Sequence, residues 1–227
     1  MFRTSVDNRP IQVSFYLNKG LSIVPFINAV EPLRLANRTA GRTLFEWDFI
    51  SDDGAPVEAI NGMIIVTHKS RAEAMVIDNL ICCVGFEQKI VTAPETRSWL
   101  RRLARTGTHL GALGAGTIYL AEAGVLQGYR ATVHWRYTDS LREKFPDLTI
   151  TRSLYEVDRD RFTSAGGTAA MDMMIHGIAV HFGRDLALQV CDIFLASELR
   201  DYNDESRLMM PARLGIRSPE VVAVIEL

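Results

Sequence analysis

Apolar residues recur along the chain at strand spacing and at helix spacing in turn, and this alternation predicts an α/β protein. Short apolar or β-branched runs predict strands at residues 11–17, 44–51, 78–85, 109–113, 131–134, 148–151 and 154–157. Apolar residues three or four positions apart predict helices over residues 25–38, 92–105, 138–144, 168–182 and 184–199. Strands that alternate with helices are typical of a mostly parallel sheet, so we predict an α/β sandwich.

Three local signals refine these elements. Asn61-Gly62 lies between two short apolar runs and is a strong signal for a β-hairpin. Thr92 precedes Glu95 by three residues, which predicts a capping box at the start of the helix over residues 92–105. We expect residues 1–10 to form a loose leader ahead of the first strand.

The stretch from Thr108 to Trp135 is the segment around which the rest of the chain is organised. It contains a short apolar run, a tight turn at Gly114-Ala115-Gly116 and a helix-period segment, which is the order of a nucleophile elbow. Such a turn stands in front of free N–H groups at the start of a helix, where a nucleophile or an anion is accommodated. The tip here holds glycine and alanine, so no Ser, Cys or Asp supplies a reactive atom.

Composition and charge exclude several classes of function. The chain has 227 residues, a formal net charge of −2 and scattered arginines, so it does not resemble a DNA-binding domain. The cluster Arg101, Arg102 and Arg105 is interpreted as a solvated helix face. Three cysteines, two of them adjacent, fit a reducing compartment better than a disulfide framework. No apolar run is long enough for a membrane span and no signal core opens the chain, so we expect a cytoplasmic protein.

The last twenty residues of the chain, 208–227, contain the signals for the start of a helix, but few residues follow that start. Ser218 is a suitable N-cap, Pro219 suits the first helical position and Glu220 suits the first turn. Only about two turns follow before Leu227. Two interpretations fit this pattern: a linker into a further domain, or a C-terminal helix that docks on the present one.

Three segments jointly resemble a known family of regulators. They are residues 111–135, residues 162–173 (FTSAGGTAAMDM) and residues 30–38 (VEPLRLANR). Together they are similar to the N-terminal domain of GlxA-type AraC-family transcriptional regulators, which belongs to the DJ-1/PfpI, or class I glutamine-amidotransferase-like, superfamily. The resemblance covers about residues 11–207 and implies a flavodoxin-like three-layer sandwich with a mostly parallel central sheet. In full-length relatives two helix-turn-helix units follow the segment similar to residues 208–227, so the resemblance favours the linker and implies that a further domain binds DNA.

The resemblance also implies that the catalytic site is incomplete. The enzymes of the superfamily have a cysteine at the elbow, a histidine about twenty residues later and an acidic residue from the first helix. Gly114 occupies the elbow position and His134 follows twenty residues later, but Glu31 comes several residues after the position expected for the acid, near Pro25. We therefore expect no amidotransferase, protease or glyoxalase activity, because loss of the nucleophile costs about a million-fold in turnover. The alternative is a hydrolase or lyase that acts through His134 and Thr117.

The resemblance further implies an effector pocket at the elbow. The expected ligand is a small nitrogenous metabolite, such as an amino acid or a quaternary amine, whose cation an aromatic face attracts. We expect a homodimer, and neither a cofactor nor a metal. The candidate ligand-binding residues are Gly85, Phe86, Gly114, Ala115, His134, Trp135, Gly166 and Glu31.

Several of these candidates have a plainer structural interpretation. His134 and Trp135 could be packed in the core, and Gly85 could be required by a turn. Glu31 could pair on the surface with Arg34, three residues later in the same helix. A purely structural dimerisation module with an occluded pocket is therefore the second alternative to an effector sensor.

Overall fold

A computed structural model describes residues 1–4, 9–85 and 90–195 of the chain. The strands are β1 (Ile11–Leu17), β2 (Phe45–Ser51), β3 (Val57–Glu58), β4 (Ile64–Ile65), β5 (Lys69–Ser70), β6 (Asn79–Cys83), β7 (His109–Leu113), β8 (Arg130–Thr132), β9 (Thr149–Thr151), β10 (Tyr155–Asp158) and β11 (Arg161–Ser164). The helices are α1 (Ile23–Ala40), α2 (Pro94–Arg105), α3 (Gly116–Glu122), α4 (Thr138–Lys144), α5 (Ala169–Phe182) and α6 (Arg184–Ile193), with a 3₁₀ turn at Trp135–Tyr137. This order confirms the predicted α/β class.

Seven strands form the central sheet in the order β10–β11–β7–β6–β1–β2–β5. Every neighbouring pair is parallel except β10 and β11, which are antiparallel. Strands β3 and β4 form the hairpin predicted at Asn61-Gly62, and β8 and β9 form a separate parallel pair. Because β6, β7 and β11 run in the same direction, the turns that follow them, at Gly85, Gly114 and Gly166, lie at one edge of the sheet.

An apolar core lies on each face of the sheet. Helices α1, α5 and α6 cover one core, and helices α2, α3 and α4 cover the other. Strand alternation places Phe15 in the first core and Tyr16 in the second. Cys83 and Cys82 are separated in the same way. The result is the three-layer sandwich of the flavodoxin-like prediction.

Helix α2 begins at Pro94 rather than near Thr92. Proline suits the first turn of a helix because its missing N–H would have no acceptor within the helix. The backbone N–H of Thr92 instead donates to Glu122 Oε2 at 2.8 Å, and Thr92 Oγ1 makes no hydrogen bond to a described residue. The predicted capping box of Thr92 and Glu95 is therefore wrong.

The start of the chain is packed into the core. Phe2 is only 4% exposed, and its ring makes edge contacts with Phe45 and Phe162 at centroid distances of 5.8 and 5.5 Å. Gly177 provides the room, because a Cβ there would lie 2.7 Å from the Phe2 ring. The Phe2 N–H also donates to His181 Nε2 at 3.2 Å. The expectation of a loose leader is therefore wrong for these first residues.

Several predicted boundaries move, and others lie beyond the described part of the chain. Strand β8 ends at Thr132, so His134 stands outside the strand in which it was expected. Helix α6 ends at Ile193, before the predicted end at residue 199. Residues 196–227, with the predicted helix start at Ser218, lie outside the described residues. None of the helices that the structure describes is long and apolar enough to cross a membrane.

Candidate functional site

The turn after β7 has the backbone of an elbow. Gly114 has a φ of +55°, in the left-handed region where residues with a side chain are strained. Its N–H donates to the carbonyl oxygen of Ser164 at 2.8 Å, which fixes the turn against the end of β11. A Cβ on Gly116 would lie 2.3 Å from the carbonyl oxygen of Cys82, so α3 begins directly against β6. Glycine at these two positions is what permits the strand–turn–helix geometry here.

Four of the candidate residues lie together at this elbow. Gly166, in the turn after β11, has a φ of +89°. A Cβ on Gly166 would lie 3.2 Å from the Cα of Gly114 and 4.0 Å from Cδ2 of His134. Ala115 is buried in the same turn. Gly114, Ala115, His134 and Gly166, predicted from distant parts of the chain, therefore belong to one site.

His134 precedes a 3₁₀ turn that lines this site with aromatic rings. Its Nδ1 accepts the N–H of Arg136 at 3.3 Å, so the neutral ring carries its proton on Nε2. Burial, and to a lesser extent the charge of Arg136, lowers the pKa of His134 and favours that neutral ring. Trp135 is 43% exposed, and its ring centroid lies 5.3 Å from that of His134. Tyr137 adds a third ring, 6.4 Å from His134, which sequence reasoning did not identify.

Two further polar residues lie at the elbow and are not among those predicted from the sequence. Asn28 in α1 donates from Nδ2 to the carbonyl oxygen of Gly167 at 3.1 Å and so ties α1 to the turn after β11. Ser164 is fully buried, and its Oγ makes no hydrogen bond to a described residue. A buried hydroxyl without a partner is destabilising by about 1–3 kcal/mol, so Ser164 Oγ is a group that a bound molecule could satisfy.

Gly85 is required by close packing of the backbone. A Cβ on Gly85 would lie 1.7 Å from the carbonyl oxygen of Gly20, so no other residue fits at this position. The packing accounts for the glycine without a ligand, and contact between Gly85 and a ligand stays a prediction. Phe86, the next candidate, lies outside the described residues.

Glu31 forms an ion pair with Arg34, which is the structural alternative to ligand binding that the sequence analysis gives for it. Its Oε2 accepts from Nε and Nη2 of Arg34 at 2.8 and 2.7 Å. Within the described residues, no hydrogen bond joins Glu31 to the elbow. Asn28, one turn earlier in α1, makes the contact with the site that was expected of Glu31.

The hydroxyl of Thr117 and the thiols of Cys82 and Cys83 are buried and unsuited to nucleophilic catalysis. Thr117 is fully buried, and its hydroxyl donates to the carbonyl oxygen of Thr132 at 2.8 Å. Burial raises the pKa of the Cys82 thiol to about 12 and raises that of Cys83 well above its ordinary value. Both thiols therefore stay protonated, and the thiolate is the reactive form. Within the described residues, no group of three or more His, Cys, Asp or Glu side chains is arranged to hold a metal ion.

Comparison with known proteins gives consistent matches over this fold. A sequence profile of the DJ-1/PfpI family matches residues 12–179. The HTH-type transcriptional regulator CdhR of Pseudomonas aeruginosa is 41% identical over 211 residues, which span 93% of this chain but only 62% of CdhR. The HTH-type transcriptional regulator GlxA of Rhizobium meliloti is 30% identical over 224 residues, or 98% of this chain and 69% of GlxA. The crystal structure of an AraC family transcriptional regulator from Pseudomonas putida, 31% identical, has a TM-score of 0.75 and is matched over its whole length by 82% of this chain.

Proposed function

Because the chain belongs to the DJ-1/PfpI family, as its elbow and flanking motifs predict, we propose that it is the effector-sensing and dimerisation domain of an AraC-family transcriptional regulator. Its relatives CdhR and GlxA are HTH-type transcriptional regulators, and the chain matches 62% and 69% of their lengths. The observation that carries the proposal is the elbow itself. Gly114 makes its tight turn with a φ of +55°, and we align this glycine with the position at which the enzymes of the superfamily have cysteine.

The proposal includes loss of catalysis. Gly114 has no side chain that could form a covalent intermediate, and the buried Thr117 hydroxyl is committed to Thr132. Removing the nucleophile of such a catalytic unit typically costs about a million-fold in turnover. The rival proposal of a hydrolase or lyase that acts through His134 predicts turnover of some substrate that His134→Ala abolishes.

The elbow suits a small nitrogenous metabolite such as an amino acid or a quaternary amine. The exposed indole of Trp135 offers a face for cation–π attraction, beside the ring of His134. The neutral His134 adds no positive charge that would repel such a cation. Ser164 Oγ and the glycine backbone offer polar groups for the rest of the ligand. Aromatic walls with a few placed polar groups are typical of small-molecule sites.

Self-association of the domain has a candidate surface in the β3–β4 hairpin. Ile60, Met63, Ile64 and Val66 are each more than half exposed, and exposed apolar patches of this kind commonly mark interaction sites. We expect a homodimer, which suits paired operator half-sites. Ile64→Glu should then weaken self-association in analytical ultracentrifugation, whereas Val180→Glu on α5 should not. A monomeric wild-type chain would contradict the dimerisation part of the proposal.

The hairpin is connected to the elbow through one loop. The N–H of Gly20 donates to the carbonyl oxygen of Glu58 in β3 at 2.8 Å, and Gly20 packs against Gly85 on the other side. An effector that favours one position of this loop would shift the arrangement of two hairpins in a dimer. A ligand with equal affinity for both arrangements would shift nothing, so the effector has to bind one of them better.

DNA binding is proposed for a separate domain, in the cytoplasm, and not for this chain. Two helix-turn-helix units are expected in the reading frame after Leu227. Genomic sequence tests this directly, and a stop codon immediately after Leu227 would contradict the regulator proposal.

A thermal-shift screen of the chain tests effector binding. The compounds are amino acids, betaines, carnitine-like compounds and polyamines. A ligand at about one hundred times its Kd should stabilise the fold by about 2.7 kcal/mol, and each kcal/mol raises the Tm of a domain of this size by about 2–4 °C. Trp135→Ala should remove the shift, whereas Leu188→Ala, which alters a similarly exposed apolar side chain on α6, should keep it. No shift with any compound would support the purely structural module instead.

A further inference from the structure

A second cleft lies away from the elbow, at the opposite edge of the sheet. It is an open cleft of about 620 Å³ between α2 and the loops that follow α3, and its lining includes Ser98, Arg101, Arg105, Gln127, Tyr129 and Arg161. Arg161 begins β11 and is in register with Leu110 near the start of β7, whereas Gly114 follows the end of β7. At the usual rise per residue of a strand, the level of Arg161 and Leu110 lies about 13 Å from the level of Gly114 along the sheet. The cleft is therefore separate from the elbow.

The floor of the cleft holds a buried and oriented guanidinium group. Arg161 is 5% exposed; its Nε donates to the carbonyl oxygen of Val125 at 2.8 Å, and its Nη1 donates to Asp160 Oδ2 at 2.8 Å. The guanidinium carbon lies 4.8 Å from the centroid of the Tyr129 ring. The Nη2 group makes no hydrogen bond to a described residue and is the donor left for a ligand. A side chain held at three points in this way is pre-organised for recognition.

The rim of the cleft adds two positive charges that nothing in the described chain neutralises. Arg101 and Arg105 are four residues apart on α2, so they share one side of the helix, and both are exposed. Within the described residues neither makes an ion pair. Like charges at this spacing weaken a helix by a few tenths of a kcal/mol, and a bound anion would relieve that repulsion. Since Asp160 pairs with Arg161, the cleft has a surplus of about two positive charges, those of Arg101 and Arg105.

We propose that this cleft binds a small metabolite that carries a phosphate group, with the phosphate oxygens held by Arg101, Arg105 and Nη2 of Arg161. A phosphate dianion matches the surplus charge of the rim, and guanidinium groups bind phosphate oxygens in pairs. The volume is far larger than a phosphate ion and falls in the range of about 300–1,000 Å³ that is usual for small-molecule sites. This ligand is distinct from the nitrogenous effector proposed for the elbow and does not depend on it.

The experiment measures binding of inorganic phosphate to the whole chain by isothermal titration calorimetry, with chloride used to hold the ionic strength constant. Three proteins are compared: the wild type, R101Q/R105Q and R97Q/R102Q. The third is the matched control, because it removes the same two charges from the same helix at positions that do not line the cleft. The substituted side chains are at least partly exposed, and unfolding curves without phosphate check that both variants fold.

We expect phosphate to bind the wild type and R97Q/R102Q alike, and R101Q/R105Q to bind at least about ten-fold more weakly, a loss of about 1.4 kcal/mol. Equal weakening in the two variants would show a general charge effect and would overturn the proposal. So would the absence of any binding by the wild type up to about 10 mM phosphate. Tighter binding of malonate than of phosphate at the same ionic strength would overturn the phosphate assignment, because it would make the site one for dicarboxylates.

Discussion

A Cβ atom on Gly166 would lie 3.2 Å from the Cα of Gly114, so the ends of β11 and β7 are packed backbone against backbone. The two glycines come from turns that are 52 residues apart in the sequence. The same Cβ position on Gly166 would lie 4.0 Å from Cδ2 of His134. A Cβ added at Gly166 would therefore press on the backbone of Gly114, while its contact with the His134 ring would be an ordinary van der Waals one.

Gly166→Ala should destabilise the fold by about 1–3 kcal/mol, because it adds both backbone strain and a steric contact. Gly128→Ala is the control: Gly128 also has a positive φ, of +73°, but a Cβ there would meet no atom within 4 Å. The free energy of unfolding from urea titrations should fall further for Gly166→Ala than for Gly128→Ala. Equal losses would mean that backbone strain alone matters at the elbow.

Gly114→Cys should place a reactive thiol at the elbow without preventing folding. A Cβ on Gly114 would meet no atom closer than 3.6 Å, so the expected loss is the left-handed backbone strain of about 1–2 kcal/mol. Mass spectrometry after brief alkylation with iodoacetamide should show Cys at position 114 modified well before Cys82 and Cys83, which are buried. Modification of the buried cysteines first would contradict the geometry described for the elbow.

Much of this site follows from local sequence. The glycines at 114 and 116 and the apolar run before them predict the elbow, because only glycine tolerates the left-handed turn and the close approach to Cys82. The helices and most strands follow from apolar periodicity in the same way. Family resemblance then assigns His134 to the elbow, although periodicity alone places it in a strand.

The parts that could not be predicted depend on contacts between distant segments. Asn28 reaches Gly167 across 139 residues, and nothing in the pattern around Asn28 distinguishes it from any exposed helix position. Phe2 is a single aromatic residue without periodic neighbours, so its place in the core depends on the space left by Gly177. Thr92 fits a capping box locally, but Pro94 fixes the helix start and Glu122 takes the Thr92 N–H.

The protein should lose stability as the pH falls below about 6.5. Burial foremost, with the charge of Arg136, lowers the pKa of His134 from its ordinary value of 6.5, and burial with the charge of the N-terminus does the same for His181. The unfolded chain then binds more protons than the folded chain just below pH 6.5. The stability that these two neutral histidines contribute is therefore complete above that pH and decreases as the pH falls through their pKa values in the folded protein.

Urea titrations over a pH series measure this dependence, and His134→Gln should reduce its slope. NMR titration of the imidazole signals gives the individual values. A pKa for His134 at or above 6.5 would contradict the burial described for its ring.

Ser164→Ala and Thr163→Val, at neighbouring positions on β11, should have opposite effects. Thr163 Oγ1 accepts the N–H of Thr132 at 2.8 Å, so Thr163→Val leaves a buried donor unpaired and should cost about 1–3 kcal/mol of unfolding free energy. Ser164 Oγ has no partner in the described chain, so Ser164→Ala should leave that free energy unchanged or raise it. If an effector binds at the elbow and uses Ser164, Ser164→Ala should reduce the thermal shift that the effector produces. A full shift in Ser164→Ala would remove Ser164 from the proposed pocket, and a destabilisation as large as that of Thr163→Val would show that its hydroxyl is already satisfied without ligand.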